Sequence, residues 1–324
     1  NLLFKSIFKL RLHNMASLQY MLAASMLLAL VVIAQADPKP IMIIDLFRHG
    51  ARGPIGPIWD THNAWSTYGE LTNGGMRMHY LLGQSIAKDY PDLLGKYDPS
   101  RISAFSTDVN RTIMSAYSHL FGMYSVGGAN NLTTNQSNSA LPPGLKEDDV
   151  KDLIKDTYSL PTGIQPVPVH IVPKARDHSI APGESCPTFS NISQATLNSS
   201  IFQEFKDMMN STYDMIRNYS QQKNITLSDI WSYQGLGDSL IANYFENLTF
   251  PVDIAPYSKE FNDLFFFNDF VVAYMYVGQL KTRQITSVNL FNRMFAQLRG
   301  RIAGTYNKDL SILSAHDTTL LPFL

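Results

Sequence analysis

Four short segments rich in apolar and β-branched residues predict β-strands, at residues 40–47, 101–108, 165–173 and 309–317. The third segment contains several prolines, which cannot donate a hydrogen bond within a sheet, so we expect it at a sheet edge. The fourth segment is apolar at most positions between its charged ends. That pattern is typical of a parallel strand with a neighbour on each side, so we expect this strand in the middle of the sheet.

Helical spacing of apolar residues follows the first two predicted strands. The residues that share one face of each predicted helix are Met78, Leu81, Leu82 and Ile86 in the first, and Ile113, Tyr117, Leu120 and Phe121 in the second. Pro91 lies just past the first helix, where it favours a stop. The alternation of strand and helix predicts a parallel sheet that is covered by helices.

The pattern changes near residue 123, where a polar loop is followed by long stretches of helical spacing. We therefore predict an α/β fold, with a doubly wound, mainly parallel sheet flanked by helices. Residues 37–122 and 286–324 form this part, and a smaller, mainly helical domain is inserted at residues 123–285. Only seven residues follow Asp317, too few to cover a central strand, so we expect the natural protein to continue and this chain to be truncated at its C-terminus.

The N-terminus has the pattern of a leader and a signal peptide. The chain begins at Asn1, and an apolar stretch at residues 21–34 ends in Ala34-Gln35-Ala36, which has the small-x-small form of a secretory cleavage site. We therefore predict that residues 1–36 are removed. The alternative is an uncleaved anchor helix, for which the apolar run is short.

Many N-x-S/T sequons support export of the protein. They lie at Asn131, Asn135, Asn191, Asn198, Asn210, Asn218, Asn224 and Asn247. So dense a set predicts a glycosylated surface and a secretory compartment, with a lysosomal or secreted location. Cys186 is the single cysteine, which in an exported protein suggests a disulfide partner outside this chain.

The composition argues against nucleic acid as a partner. The chain has 26 basic and 27 acidic side chains and a formal net charge of −1, so it has no general basic surface for nucleic acid. A site for an anion must therefore be a local cluster of charge.

Three predicted strands end in charged residues. The first strand delivers Arg48, His49 and Arg52, the second is followed by Arg111, and the last delivers His316 and Asp317. Ligands of open α/β sheets bind beyond the carboxyl ends of the strands, so we expect these side chains to lie in one site.

The chemistry of this cluster favours a phosphate ligand. Guanidinium groups keep their charge and match a tetrahedral dianion better than a planar carbonyl. Their charge lowers the pKa of a nearby imidazole, so His49 could remain neutral and attack phosphorus, forming a phosphohistidine. A carboxylic acid at Asp317 could then protonate the leaving alkoxide.

Other histidines and a metal site are weaker candidates. Asp45 and His49 could ligate a metal, but the flanking guanidiniums oppose a cation, and the chain has no HExxH or CxxC pattern. We therefore predict no metal and no cofactor, and expect Asp45 to cap a helix or pair with an arginine. The histidines predicted to be core or surface residues are His62, His79, His119, His170 and His178.

These segments resemble the histidine acid phosphatase family of the phosphoglycerate-mutase-like superfamily. "RHGARGP" is similar to the RHGxRxP signature, "STDVNRTIMSA" to the second arginine segment, and "ILSAHDTT" to the His-Asp segment. "GELTNGGMRMHYLLG" resembles the helix after the first motif, and "ESCPTF" resembles a cysteine-containing stretch of prostatic and lysosomal members. The resemblance implies a doubly wound α/β domain with a smaller helical domain over the cleft, and no metal.

The resemblance also implies roles. His49 would be the phosphorylated nucleophile and Asp317 the general acid. The phosphate would be bound by Arg48, Arg52, Arg111 and His316. Close animal relatives carry several disulfides, and in them the partner of Cys186 lies beyond the His-Asp segment.

The sequence is compatible with several functions. We favour an acid phosphatase that acts on small phosphate monoesters. A phytase-like hydrolase of inositol phosphates is disfavoured because residues 55–69 contain no lysine or arginine. A non-catalytic phosphate-binding surface glycoprotein and a mutase are also less favoured. A homodimer and a membrane anchor beyond residue 324 are left open.

Overall fold

Four strands form a parallel sheet in the computed structural model, which describes residues 39–56, 65–124, 130–152, 157–222, 226–227, 229–248, 255 and 257–324. The strands are β1 (Ile43–Arg48), β2 (Ile102–Thr107), β3 (His170–Val172) and β4 (Leu310–Ala315). Their order in the sheet is β1-β4-β2-β3, and each neighbouring pair is parallel. The proline-flanked strand therefore lies at an edge and the last strand lies inside the sheet, as predicted.

Strand β4 sets the register on which the site depends. It pairs with β1 on one side and β2 on the other, and all six of its residues are buried. The pairing places Arg48 opposite Ala315, and the His49 backbone N–H donates to the Ala315 carbonyl at 3.0 Å. The residues that follow β1 and β4 therefore leave the sheet at the same level.

Helices make up most of the remaining described chain. They are α1 (Asn73–Asp89), α2 (Pro91–Leu94), α3 (Asn110–Met123), α4 (Thr134–Ser139), α5 (Glu147–Val150), α6 (Pro182–Ser185), α7 (Pro187–Leu197), α8 (Ser200–Met208), α9 (Asn210–Gln222), α10 (Ile230–Phe245), α11 (Lys259–Val277), α12 (Leu280–Ile302) and α13 (Asp317–Leu320). Several begin at a residue whose side chain accepts a hydrogen bond from the first turn; Thr72 accepts from the Gly75 N–H and starts α1.

Helices cover both faces of the sheet, which is the doubly wound arrangement predicted. One face packs Phe47 and Ile312 against Leu120 of α3. The other face packs Leu313 against Leu290 of α12. Side chains of a strand alternate between its two faces, so β4 contributes Ile312 to one core and Leu313 to the other.

A separate apolar core lies among the helices of the middle of the chain. It contains residues of α8 to α11, among them Phe205, Leu240 and Phe267. This core agrees with a mainly helical segment after residue 123. The domain boundaries at residues 122/123 and 285/286 stay predictions, and α12 runs through the second of them.

The buried face of α1 does not coincide with its apolar stripe. Met78, Leu81 and Leu82 are 51%, 53% and 51% exposed. The buried residues of this helix are Gly75, His79 and Gly83. Helix α3 deviates only in part: Leu120 of the predicted face is buried, but Tyr117 is exposed, and the other buried residues include Ser115, Ala116, His119 and Gly122.

Close packing of α1 on α3 explains this choice of face. A Cβ added to Gly83 would lie 2.0 Å from the His119 carbonyl oxygen, and one added to Gly122 would lie 2.0 Å from the Tyr80 carbonyl oxygen. The two helices therefore touch through their backbones, and only small residues fit between them. The larger side chains of Met78, Leu81, Leu82 and Tyr117 are left on the outer side.

The predictions about export concern the N-terminus, the sequons and Cys186. The predicted signal peptide at residues 1–36 and the sequon at Asn224 lie outside the described residues. The other seven sequon asparagines are all exposed. Within the described residues, no helix combines the length and apolarity needed to cross a membrane. The disulfide of Cys186, which is partly buried, stays a prediction.

Replacing Gly83 with alanine should lower the free energy of unfolding by about 1–3 kcal/mol, because the new methyl group would collide with the backbone of α3. Gly237 is a matched control: it lies inside the helix α10, and an added Cβ there would meet its nearest atom, Cδ1 of Leu264, at an ordinary contact distance of 3.4 Å. The Gly237→Ala variant should be no less stable than the parent protein by more than about 0.5 kcal/mol. Urea denaturation measures both, and equal losses in the two variants would contradict the packing argument.

Candidate active site

One cavity of about 730 Å³ opens at the carboxyl ends of the strands. Its walls include all six residues proposed from the sequence: Arg48, His49, Arg52, Arg111, His316 and Asp317. Three segments that are far apart in the chain thus meet at one place. Helices α10 and α11 form the opposite wall.

The His49 ring is held by its own loop. The side chain is only 4% exposed, and its Nδ1 lies 2.8 Å from the Gly50 carbonyl oxygen. A carbonyl can only accept, so Nδ1 carries the hydrogen and donates it. In the neutral ring the lone pair therefore belongs to Nε2.

Helix α3 anchors this loop through one buried serine. The Gly50 N–H donates to Ser115 Oγ at 3.1 Å, and the Ser115 hydroxyl donates to the Arg111 carbonyl at 2.7 Å. Glycine is required at position 50 because an added Cβ would lie 2.4 Å from the Gly75 carbonyl oxygen. The loop of the first motif therefore rests directly on the start of α1.

Burial and nearby cations keep both site histidines neutral. Burial, followed by the charge of Arg48, lowers the pKa of His49 far below 6.5, with smaller contributions from Arg111 and His316. Burial, followed by the charge of Arg111, lowers the pKa of His316 to about 4. His316 Nε2 lies 2.9 Å from Thr107 Oγ1, and the two imidazole centroids are 5.5 Å apart.

Arg48 and Asp317 form an ion pair at the cavity wall. Arg48 Nε donates to Asp317 Oδ2 at 2.8 Å, and each side chain is about 40% exposed. Burial alone would raise the pKa of Asp317, but the charge and hydrogen bond of Arg48 and the Thr318 N–H outweigh it, so the pKa is lowered. Asp317 is therefore ionised in the unliganded protein at neutral pH.

A second ion pair was not foreseen from the sequence. Arg52 donates to both carboxylate oxygens of Asp238, at 2.8 and 3.0 Å, and both side chains are largely buried. Asp238 comes from α10, 186 residues further along the chain. One of the guanidiniums expected to bind phosphate is thus already held by a carboxylate. No local pattern marks Asp238, because its role follows from how α10 packs.

Asp269 of α11 also lines the cavity and was not foreseen. Partial burial, and then the negative charge of Asp317, raise the pKa of Asp269. Arg48 lowers it and Asp238 raises it further, so these four charged side chains share one electrostatic environment.

Two histidines expected in the core or at the surface lie in the core behind the site. His79 and His119 are 2% and 1% exposed, and neither lines the cavity. His79 Nε2 lies 3.1 Å from the Arg48 carbonyl, and burial, followed by the charge of His119, lowers its pKa to about 4. His119 lies 2.8 Å from Asp45, so Asp45 pairs with a histidine rather than capping a helix or pairing with an arginine.

From the sequence, Asp45 and His49 are weak candidates for ligands of a metal ion. Among the described residues there is no group of three or more histidine, cysteine, aspartate or glutamate side chains arranged to hold a metal ion.

Two acid phosphatases are among the proteins that this chain is similar to. The chain is 28% identical over 316 residues to prostatic acid phosphatase of Bos taurus, across 92% of this chain and 73% of that protein. It is 26% identical over 310 residues to lysosomal acid phosphatase of Xenopus laevis, across 93% of this chain and 65% of that protein. The chain thus spans roughly two thirds to three quarters of these relatives' length.

Solved structures share the fold at lower identity. The phytase of Citrobacter braakii superimposes with a TM-score of 0.59 at 15% identity, covering 88% of this chain and 74% of that one. A phytase of Klebsiella sp. ASR1 gives 0.59 at 16% identity, covering 89% and 72%. Residues 42–324, which include all the described secondary structure, match the family described as histidine phosphatase superfamily (branch 2). The chain belongs to this superfamily, as its motifs predicted.

Proposed function

We propose that the protein hydrolyses phosphate monoesters through a covalent phosphohistidine on His49. The observation that carries the proposal is a neutral imidazole, fixed through Nδ1, in a cavity that also contains Arg48, Arg52 and Arg111. Such a ring is a nucleophile, and the guanidiniums match the equatorial oxygens of a phosphoryl group. The names of the relatives, prostatic and lysosomal acid phosphatases, support the same class of reaction.

The reaction has two steps. In the first, the His49 Nε2 lone pair attacks phosphorus, the bond between phosphorus and the ester oxygen breaks, and Asp317 gives a proton to the departing alkoxide. In the second, water attacks the phosphohistidine while the Asp317 carboxylate accepts its proton. Phosphate leaves, His49 is regenerated and Asp317 is protonated again. Arg48, Arg52, Arg111 and His316 hold the phosphoryl oxygens throughout.

Asp317 must gain a proton before it can act as an acid. In the unliganded protein it is ionised and paired with Arg48. A bound phosphate dianion would take over part of the interaction with Arg48 and repel the carboxylate, and both effects raise the pKa of Asp317. Substrate binding should therefore be coupled to protonation of Asp317, which supplies the proton that catalysis uses. An acidic medium favours this protonation.

The proposed compartment is secretory, either lysosomal or extracellular. The signal-peptide pattern at residues 1–36, the exposed sequon asparagines and the names of the relatives support it. An acidic lumen also suits a nucleophile that stays neutral at low pH.

Replacing His49 with alanine should lower kcat for an aryl phosphate by several orders of magnitude, because the covalent route is lost. The matched control is His178→Ala, which changes an exposed histidine that does not line the cavity and should stay within about twofold of the parent. Acid quenching after mixing with radiolabelled substrate should trap the label on His49 in the parent enzyme. Label on another residue, or near-normal turnover of His49→Ala, would exclude the mechanism.

The dependence of kcat/KM on pH should show that His49 stays unprotonated in mildly acidic solution. A free imidazole with a pKa near 6.5 would lose about tenfold or more of its neutral form between pH 6.5 and 5. Because the pKa of His49 is far lower, kcat/KM should not fall over this range once ionisation of the substrate is taken into account. Steady-state kinetics at half-unit intervals test this, and a decline with a midpoint near pH 6.5 would argue against a neutral nucleophile.

Ser115→Ala should misplace the His49 loop, because it removes the acceptor of the Gly50 N–H. We expect kcat to fall roughly 10- to 100-fold, since small displacements of a nucleophile are costly. Ser118→Ala on the same helix removes only a hydrogen bond to the Met114 carbonyl and serves as the control. Equal kcat values for the two variants would show that Ser115 does not position the nucleophile.

A further inference from the structure

The wall of the cavity opposite the strand ends is formed by one face of each of two helices. From α10 it contains Gln234, Asp238, Ile241 and Phe245, and from α11 it contains Phe265, Asn268, Asp269, Val272, Ala273 and Tyr276. Residues spaced three or four apart share one side of a helix, so each set is a continuous stripe. The α11 stripe is mostly apolar and the α10 stripe is half apolar, and each has one charged residue near its middle, Asp238 in α10 and Asp269 in α11.

The two aspartates differ in what they contact. Asp238 is engaged by Arg52 through two hydrogen bonds. Asp269 is a solvent-accessible residue of the wall; its carboxylate accepts a hydrogen bond from the Asn268 side chain and forms no ion pair with a cation among the described residues. It is therefore the carboxylate that an incoming substrate would meet beyond the phosphate-binding groups.

The charges of the cavity are sufficient for a single phosphate. Its described lining contains three arginines and three aspartates and no lysine. Two of the arginines, Arg48 and Arg52, already have carboxylate partners. A second phosphate on the substrate would thus find no further cation along the described helical wall and would face Asp269 instead. Repulsion of this kind is a common way to reject a wrong substrate.

The surroundings of Asp269 suit a cation. Partial burial, together with the like charges of Asp317 and Asp238, raises the pKa of Asp269. A positive group beside it would relieve the repulsion. Phe265 lies one helical turn away, and its ring centroid is 6.0 Å from that of Phe245. Aromatic faces at such a site also attract quaternary ammonium groups.

We propose that Asp269 determines specificity by selecting phosphate monoesters whose alcohol part carries a positive charge, and by disfavouring those with a second anionic group. The inference rests on the proposed function, since it assumes that phosphate binds at the Arg48 end of the cavity. It assigns the leaving-group subsite to α11, with Asp269 as the residue that contacts the cation.

Three substrates of similar size separate charge from shape. Choline phosphate carries a trimethylammonium group, 3,3-dimethylbutyl phosphate replaces its nitrogen with carbon, and 2-sulfonatoethyl phosphate carries a negative group. None of these distal groups titrates in the working range. In the parent protein we expect kcat/KM to be highest for the cationic substrate and lowest for the anionic one, by about fivefold at each step.

Asp269→Asn should remove most of this preference, and Asp269→Lys should reverse it. The readout is the ratio of kcat/KM between substrates within each variant, because any effect of the charge change on the shared chemical step cancels in that ratio. The matched control is Asp263→Asn, which lies on the same helix, pairs with Lys259 and does not line the cavity. It should leave the order of the three substrates unchanged.

The outcomes distinguish the two proposals. If the parent protein hydrolyses all three substrates with equal kcat/KM, or if Asp269→Asn lowers all three equally, the specificity role is wrong and the phosphatase proposal stands. If the parent protein hydrolyses no phosphate monoester at all, the proposed function fails. Should the Asp269 variants not fold, a parent protein that does not prefer the cationic substrate over the anionic one would still overturn the specificity role.

Discussion

An uncharged imidazole beside three guanidiniums is the constraint on which this site depends. Such a ring stays neutral because it is buried and because protonation would add a fourth positive charge. Burial is achieved by the pairing of β1 with β4, which places His49 against the end of a strand whose residues are all buried. The Gly50 carbonyl and Ser115 then fix the ring and its loop. The neutral state of the proposed nucleophile is therefore a consequence of sheet register and loop packing.

The same cluster of arginines must be stable when no phosphate is bound. Asp317 and Asp238 each neutralise one guanidinium, and the second pair is largely buried and doubly hydrogen-bonded. Removing one member of a buried pair leaves an uncompensated charge, which costs more than the pair itself contributes. On the proposed mechanism, phosphate competes with these carboxylates for the arginines. That competition links substrate binding to the protonation of Asp317, because the carboxylate loses part of its stabilising partner when the anion arrives.

The sequence predicted the sheet and its charged edge for a physical reason. Parallel strands end at a common edge, so charged residues after apolar runs identify the cavity wall built from β1, β2 and β4. The opposite wall was not predictable, because Asp238 and Asp269 reach the cavity through the packing of α10 and α11, which no local pattern encodes. The buried face of α1 was not predictable for a related reason. Contact between the backbones at Gly83 buries the small residues of this helix, whereas a hydrophobic pattern identifies only the large apolar ones.

The cavity has one wall of strand ends and one wall of helices, and this division bears on how substrate specificity could differ between proteins of this fold. The strand ends carry the groups proposed to act on phosphorus, and these depend on the register of the sheet. The helical wall carries groups that would meet the rest of the substrate, on two stripes that take no part in the pairing of the strands. The phytases that share this fold at 15% and 16% identity show how little of the sequence the scaffold itself requires. On the proposed mechanism, differences in the leaving group are therefore expected to involve α10 and α11, while the chemical step depends on the residues that follow β1 and β4.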